Sequence, residues 1–112
     1  MKLEKIVEKL DLKPLNEYAK DRDIAGAYTS DLLSDVIANA EEDELWITLH
    51  GHQNVVAVAL LKDLAGVIIT GEHHATEDML AKANEMEVSV FKTDLDSFQI
   101  SGKLYQLLCN DG

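Results

Sequence analysis

All four histidines of the chain fall in two short polar segments, His50-Gly51-His52-Gln53-Asn54 and Thr70-Gly71-Glu72-His73-His74. Imidazoles gathered in this way admit proton transfer near neutral pH, metal ligation, or hydrogen bonding to an anion. The spacing weighs against a zinc motif. No pair stands at the helical i, i+4 separation, adjacent His73 and His74 rarely chelate one ion together, and Glu72 adds an oxygen without adding a geometry. Nucleophilic catalysis has no organised set of groups either. There is no glycine-flanked serine elbow, no GxxxxGK[ST] loop and no GxGxxG fingerprint, and nothing in the spacing singles out His52 as a base for Ser30 or Thr70. Binding is the chemistry left. The hydroxyls of Thr29, Ser30, Thr70 and Thr93 and the amides of Gln53 and Asn54 offer directional contacts, while Gly51 and Gly71 would let a ligand approach the backbone. The same residue types also serve as plain helix caps.

These residues are positioned by a repeated grammar, in which a short apolar run ends in a polar turn that opens an amphipathic helix. It recurs over residues 24–40, 45–64, 66–86 and 88–108. Strands alternating with helices at this spacing predict a parallel sheet with right-handed crossovers and a ligand site outside the carboxyl ends of the strands. The turns Tyr28-Thr29-Ser30-Asp31 and Lys92-Thr93-Asp94 join the two histidine turns at that edge. Unpaired N–H groups and the positive ends of several helix dipoles would make the edge favourable to phosphate or carboxylate.

Along the chain, Leu3, Ile6, Val7 and Leu10 predict a first helix stopping before Pro14, and residues 12–15 a short edge strand. Residues 16–23 read as a connector into a strand at 24–28. Ser30 or Asp31 is the expected cap of a helix with Leu32, Leu33, Val36, Ile37 and Ala40 on its apolar face. A strand at 45–49 precedes a helix over 54–64 that is apolar almost all round, as expected of a helix buried on more than one face or against a second subunit. Residues 66–70 form the clearest interior strand. Thr76, Glu77 and Asp78 start a helix to about Met86, a last strand covers 88–91, and Asp94 is the expected cap of a final helix carrying Leu95, Phe98, Leu104, Leu107 and Leu108. Gly102 inside that helix costs about 1 kcal/mol relative to alanine.

At 112 residues the chain is expected to be one domain, too short to pair a catalytic with a regulatory one. Its formal charge of −11, from 21 acidic and 10 basic residues, opposes phosphate backbones and anionic lipid, so neither nucleic acid nor membrane is an expected partner. The lone Cys109 cannot form an internal disulfide and reads as a structural or incidental thiol. No signal peptide and no stretch of membrane-spanning length is present, which makes the cytoplasm the expected compartment.

The pattern G-x-Y-x-S-D-L-L-S-x-V at residues 26–36, the following W-I-T strand and the N-V-V-A-V-A helix resemble the DRTGG domain, and specifically its small stand-alone members. The resemblance runs from about Leu3 to Leu108 and extends to the amino-terminal domain of HPr kinase/phosphorylase, without that enzyme's P-loop domain. It implies a three-layer α/β/α domain, commonly homodimeric, used as a regulatory or dimerising module beside phosphotransacetylase-type enzymes and nucleotide-regulated pyrophosphatases. The five letters of the family name do not occur together. Thr70-Gly71 matches part of them, with Glu72 at the second glycine and His52-Gln53 where an Asp-Arg pair is expected.

The expectation is thus an α/β fold, a three-layer sandwich with a mainly parallel sheet of four to five strands. Its function would be that of a non-catalytic homodimeric module sensing a small anionic ligand, a nucleotide or phosphorylated metabolite, through Thr29, Ser30, His52, Gln53, Asn54, Thr70, Gly71 and His73. No residue is assigned to catalysis or to a metal, and no cofactor is identified. The alternatives are a ligand-free adaptor docking through the apolar helix on a larger metabolic enzyme, with Leu33, Val36 and Ile37 as flanking anchors, and a histidine metal-binding protein.

Overall fold

The computed structural model describes residues 1–110. The chain runs α1 (Leu3–Lys9), β1 (Lys13–Pro14), β2 (Gly26–Thr29), α2 (Leu33–Asn39), β3 (Glu44–Thr48), α3 (Gln53–Leu61), β4 (Gly66–Ile69), α4 (Glu77–Met86), β5 (Val90–Lys92) and α5 (Ser97–Asn110). The five strands lie in the order β1-β5-β4-β3-β2, with β2 to β5 parallel and β1 antiparallel on the outer side of β5. Both the mainly parallel sheet and the proline-bearing edge strand agree with the sequence pattern.

Alternation along the strands divides the core in two. Trp46, Val67, Ile69 and Val90 meet α2, α3 and α4 on one face, while Leu45, Ile47, Ile68 and Phe91 meet α1 and α5 on the other. Strands apolar on both faces need a helical layer on each side, and the three layers follow from that. Because β2, β3, β4 and β5 are laid down successively in one direction, their right-handed crossovers all fall on one face. Only α5 turns back, packing across β2 and β3 on the other.

Two expected caps are corrected. The cap position of α2 is Leu32, with no side-chain bond, because the Asp31 carboxylate turns instead to the Thr48 hydroxyl at the end of β3 and the Leu49 N–H just past it, both at 2.9 Å. At α5, Asp96 rather than Asp94 takes the role. Its carboxylate accepts from Gln99 N–H at 2.8 Å and the Gln99 side-chain carbonyl accepts from Asp96 N–H at 3.1 Å, a reciprocal capping box. Of the apolar residues expected on the final helix, Phe98 is 88% exposed, and Ile100 and Leu104 are the fully buried residues of α5. In α3, Val55, Val56, Val58 and Ala59 are buried, leaving Leu60 and Leu61 outside. Val36, read as a docking anchor, is also fully buried. Among the described residues, no helix is long and apolar enough to cross a membrane.

Candidate functional site

One threonine joins the two histidine-bearing loops. Thr76 Oγ1 accepts from Met79 N–H at 3.1 Å, capping α4 as its position before Glu77 and Asp78 predicts. The same hydroxyl donates to the Gly51 carbonyl at 3.0 Å, and the Thr76 backbone N–H donates to that carbonyl at 2.9 Å. Gly51 is buried, and a Cβ built there would run into the backbone carbonyl of His74. Its glycine therefore serves the close approach of two loops, not the approach of a ligand as the sequence suggested.

This seam holds the N-termini of α3 and α4 side by side, around a depression of about 410 Å³ lined by His52, Gln53, Asn54, Thr76 and Asp78. His52 occupies the cap position of α3 without making a side-chain capping bond, and Gln53 and Asn54 are exposed beside it. The first-turn N–H groups of a helix have no intrahelical acceptors. The two helices differ in charge there. The first turn of α3 contains no acid, whereas that of α4 carries Glu77 and Asp78, which already offset its dipole. Of the two first turns, that of α3 is thus the less opposed to an anion, with Asp78 of α4 across the same depression. The His50 and His52 rings lie with centroids 5.7 Å apart and planes tilted by 31°. Among the described residues no group of three His, Cys, Asp or Glu converges to hold a metal ion.

The remaining expected site residues lie elsewhere along the edge. Between β4 and β5 the chain exits to opposite faces of the sheet, the arrangement that opens a ligand crevice in doubly wound folds. Here that gap is filled by the chain itself. Gly71, at φ 62°, donates its N–H to the Leu95 carbonyl at 2.8 Å, and Thr70, 3% exposed, has its hydroxyl 3.3 Å from that of Ser97. The Lys92 ammonium donates to the carbonyls of Gly71 and Thr93. Lys92 was not among the expected site residues. Its signal was its place as the basic residue ending the last strand, beside Thr93 and Asp94. His73 is exposed on the β4–α4 loop, its N–H donating to the Thr70 carbonyl at 3.2 Å.

Thr29 faces α5, its hydroxyl 2.8 Å from that of Ser101. Ser30 accepts from the Leu32 N–H at 3.2 Å through Oγ and from the Trp46 indole N–H at 2.8 Å through its carbonyl. Nearby, hydrogen bonds from Ser30, Tyr28 and Asn39 hold the Asp35 carboxyl below the ordinary carboxylate value. The bond to Asp35 in turn raises the Tyr28 phenol. Of the eight expected residues, only His52, Gln53 and Asn54 share one depression.

The DRTGG domain family model matches residues 5–107. Among curated proteins none matches the chain. A crystal structure of the CBS and DRTGG domains of the regulatory region of a Clostridium perfringens pyrophosphatase, complexed with its activator diadenosine tetraphosphate, is similar in fold, at 16% identity and a TM-score of 0.68. The similarity covers 92% of this chain and 45% of that one, so this chain spans under half the length of its structural relative.

Proposed function

The chain belongs to the DRTGG domain family, whose domains are regulatory rather than catalytic modules, and from that premise we propose a homodimeric cytoplasmic sensor of a small anionic ligand. The ligand class is a nucleotide or phosphorylated metabolite, bound at the carboxyl edge of the sheet. The observation that carries this reading is the depression at the joined N-termini of α3 and α4. A phosphate over α3 would meet first-turn N–H groups and the His52 imidazole, with no acid in that turn to repel it. The amides of Gln53 and Asn54 and the carboxylate of Asp78 stand where a ribose or base would be read, since an acid accepts hydrogen bonds from hydroxyl or amino groups. The diadenosine tetraphosphate held by the pyrophosphatase regulatory region supports the nucleotide class.

Thr29, Thr70 and Gly71 enter this reading as the walls that fix the edge, with Ser30 and His73 flanking it. A ligand-free adaptor docking on a larger enzyme is the second reading, supported by Leu60 and Leu61, which are 51% and 68% exposed at the end of α3.

The test is a thermal-shift titration of the full chain with mononucleotides, dinucleoside polyphosphates and phosphorylated sugars. Saturable stabilisation is expected, worth about 2.7 kcal/mol at 100 times the dissociation constant. The double variant His52→Ala/Asn54→Ala should melt as a folded protein and lose the shift. A shift retained in full by that variant puts the ligand elsewhere, and no shift with any compound leaves the adaptor.

A further inference from the structure

The two long edges of the sheet are finished differently. Outside β5, β1 pairs Lys13 with Lys92 and Pro14 with Phe91, and Leu15 N–H donates to the Val90 carbonyl at 2.9 Å. The Asn16 side chain then acts as one more rung, donating to the Val88 carbonyl at 2.8 Å and accepting from Val90 N–H at 2.9 Å. Outside β2 no strand pairs among the described residues. A bare edge is a template for a further chain unless something blocks it.

Beside that edge lies α5, and between the two runs a groove of about 720 Å³. Phe98 and Tyr105, 88% and 73% exposed, stand on either side of Gly102. The three fall at i, i+4 and i+7, a single stripe of the helix. Nothing lies within 4 Å of a Cβ built on Gly102, so no contact inside the chain accounts for a glycine in a helix interior, where alanine is favoured. The stripe is also free of acid. None of the fourteen residues of α5 is Asp or Glu, in a chain that carries 21 of them. At the rim of the groove the carboxylate is Glu44, engaged by the Glu41 N–H at 2.7 Å.

We infer that this face, the β2 edge with Phe98, Gly102 and Tyr105 of α5, is where a second copy of the chain docks. The inference rests on the homodimer proposed for the sensor and gives it a surface. Two molecules of charge −11 repel each other. Their contact is least opposed where each presents fewest carboxylates, here Glu44 alone at the rim and none on α5, which selects the same face on both and hence a two-fold, isologous interface. A basic partner would be drawn to the acidic remainder of the surface instead. The two exposed rings supply roughly 300 Å² of the ~800 Å² that each partner buries in a standard interface, with the strand edge and the rest of the groove available for the remainder. The notch at Gly102 is the space that a ring of the partner would enter.

Sedimentation equilibrium of the full chain tests this. The wild type is expected to dimerise, and Phe98→Glu and Tyr105→Glu, both at exposed positions, should each weaken the dimer at least 100-fold with an unchanged circular dichroism spectrum. Gly102→Ala should weaken it about tenfold while raising the melting temperature of the monomer, a pairing that a purely structural glycine would not give. Leu60→Glu on α3 should leave the dimer intact. A wild type monomeric at several hundred micromolar overturns both the interface and the homodimer, leaving the ligand site standing. A dimer that survives Phe98→Glu, or dissociates with Leu60→Glu instead, overturns the interface alone, and a Gly102→Ala dimer as tight as the wild type removes the notch from it.

Discussion

The amino and carboxyl ends of the parallel strands are both edges where loops meet, yet they use their polar groups in opposite ways. At the amino end Arg22 bonds inward to two connectors at once. Its Nε donates to Asp43 Oδ1 at 3.0 Å, and its Nη2 to the backbone carbonyl and carboxylate of Asp63 at 2.6 and 3.1 Å. Asp43 N–H donates in turn to the Asp63 carbonyl at 3.1 Å. Both aspartates sit in the left-handed region, at φ 67° and 51°, a conformation their short polar side chains tolerate. At the carboxyl end the loop roots are tied by Gly51, Thr76 and Lys92, but the side chains of His52, Gln53, Asn54, His73 and His74 reach solvent. Polar groups satisfied by one another hold a fold. Polar groups left exposed around a depression are available to a ligand.

The largest effect expected from disturbing this contrast is at the seam of the carboxyl end. Gly51→Ala places a methyl group against the His74 carbonyl, a backbone atom that cannot step aside as a side-chain tip would. Overpacking of this kind costs about 3 kcal/mol, to be read as a lower urea midpoint at unchanged slope. Ligand-induced stabilisation should disappear with it. A variant as stable as the wild type would mean that the two loops are not locked together.

At the amino end the expected loss is smaller and has a different signature. Arg22→Met removes three hydrogen bonds and leaves the Asp43 and Asp63 carboxylates unpartnered, but these are 40% and 67% exposed, so solvent compensates much of the charge. A loss of about 1–2 kcal/mol is expected, with the ligand response intact. A response lost along with stability would break the division of labour between the two ends.

Legibility in the sequence follows the range of the interactions. The strand and helix order and the Thr76 cap are local matters of period and cap chemistry, and residues 66–70 and 76–78 signal them directly. The α2 cap failed because Asp31 is drawn to Thr48 and Leu49, seventeen and eighteen residues away, a competition no local pattern contains. The α5 cap was readable, since Asp96 is followed three residues later by Gln99, but Asp94 offers a similar start. Two apolar stripes run along α5, and the packing across β2 and β3 selects the one with Ile100 and Leu104, which leaves Phe98 outside. That the four turns gather at the carboxyl edge was legible from the alternation of strands and helices. The division of that edge was not: the β4–β5 gap is closed by Lys92 and Leu95, and Gly51 is spent on a loop contact, both long-range facts.

The smallest effect sharpens the contrast most. His52 stands at the cap position of α3 and makes no capping bond, although serine, threonine, asparagine or aspartate there would satisfy a first-turn N–H. Thr76 at the equivalent place in α4 does so. If His52 is kept for ligand contact, its replacement by a good cap should improve the fold and weaken the function. His52→Ser is therefore expected to gain about 0.5–1 kcal/mol of stability, a rise of several degrees in melting temperature for a chain of this size, while nucleotide-induced stabilisation falls. Calorimetric melts with and without saturating nucleotide measure both quantities on one sample. A serine variant that is stabilised and still responds as the wild type would make His52 an unimproved cap and move the anion contact to other groups of the depression. One that is not stabilised would mean that the α3 N–H groups are already satisfied by water, and that the carboxyl end gives up less stability for its open groups than the amino end's closed network suggests.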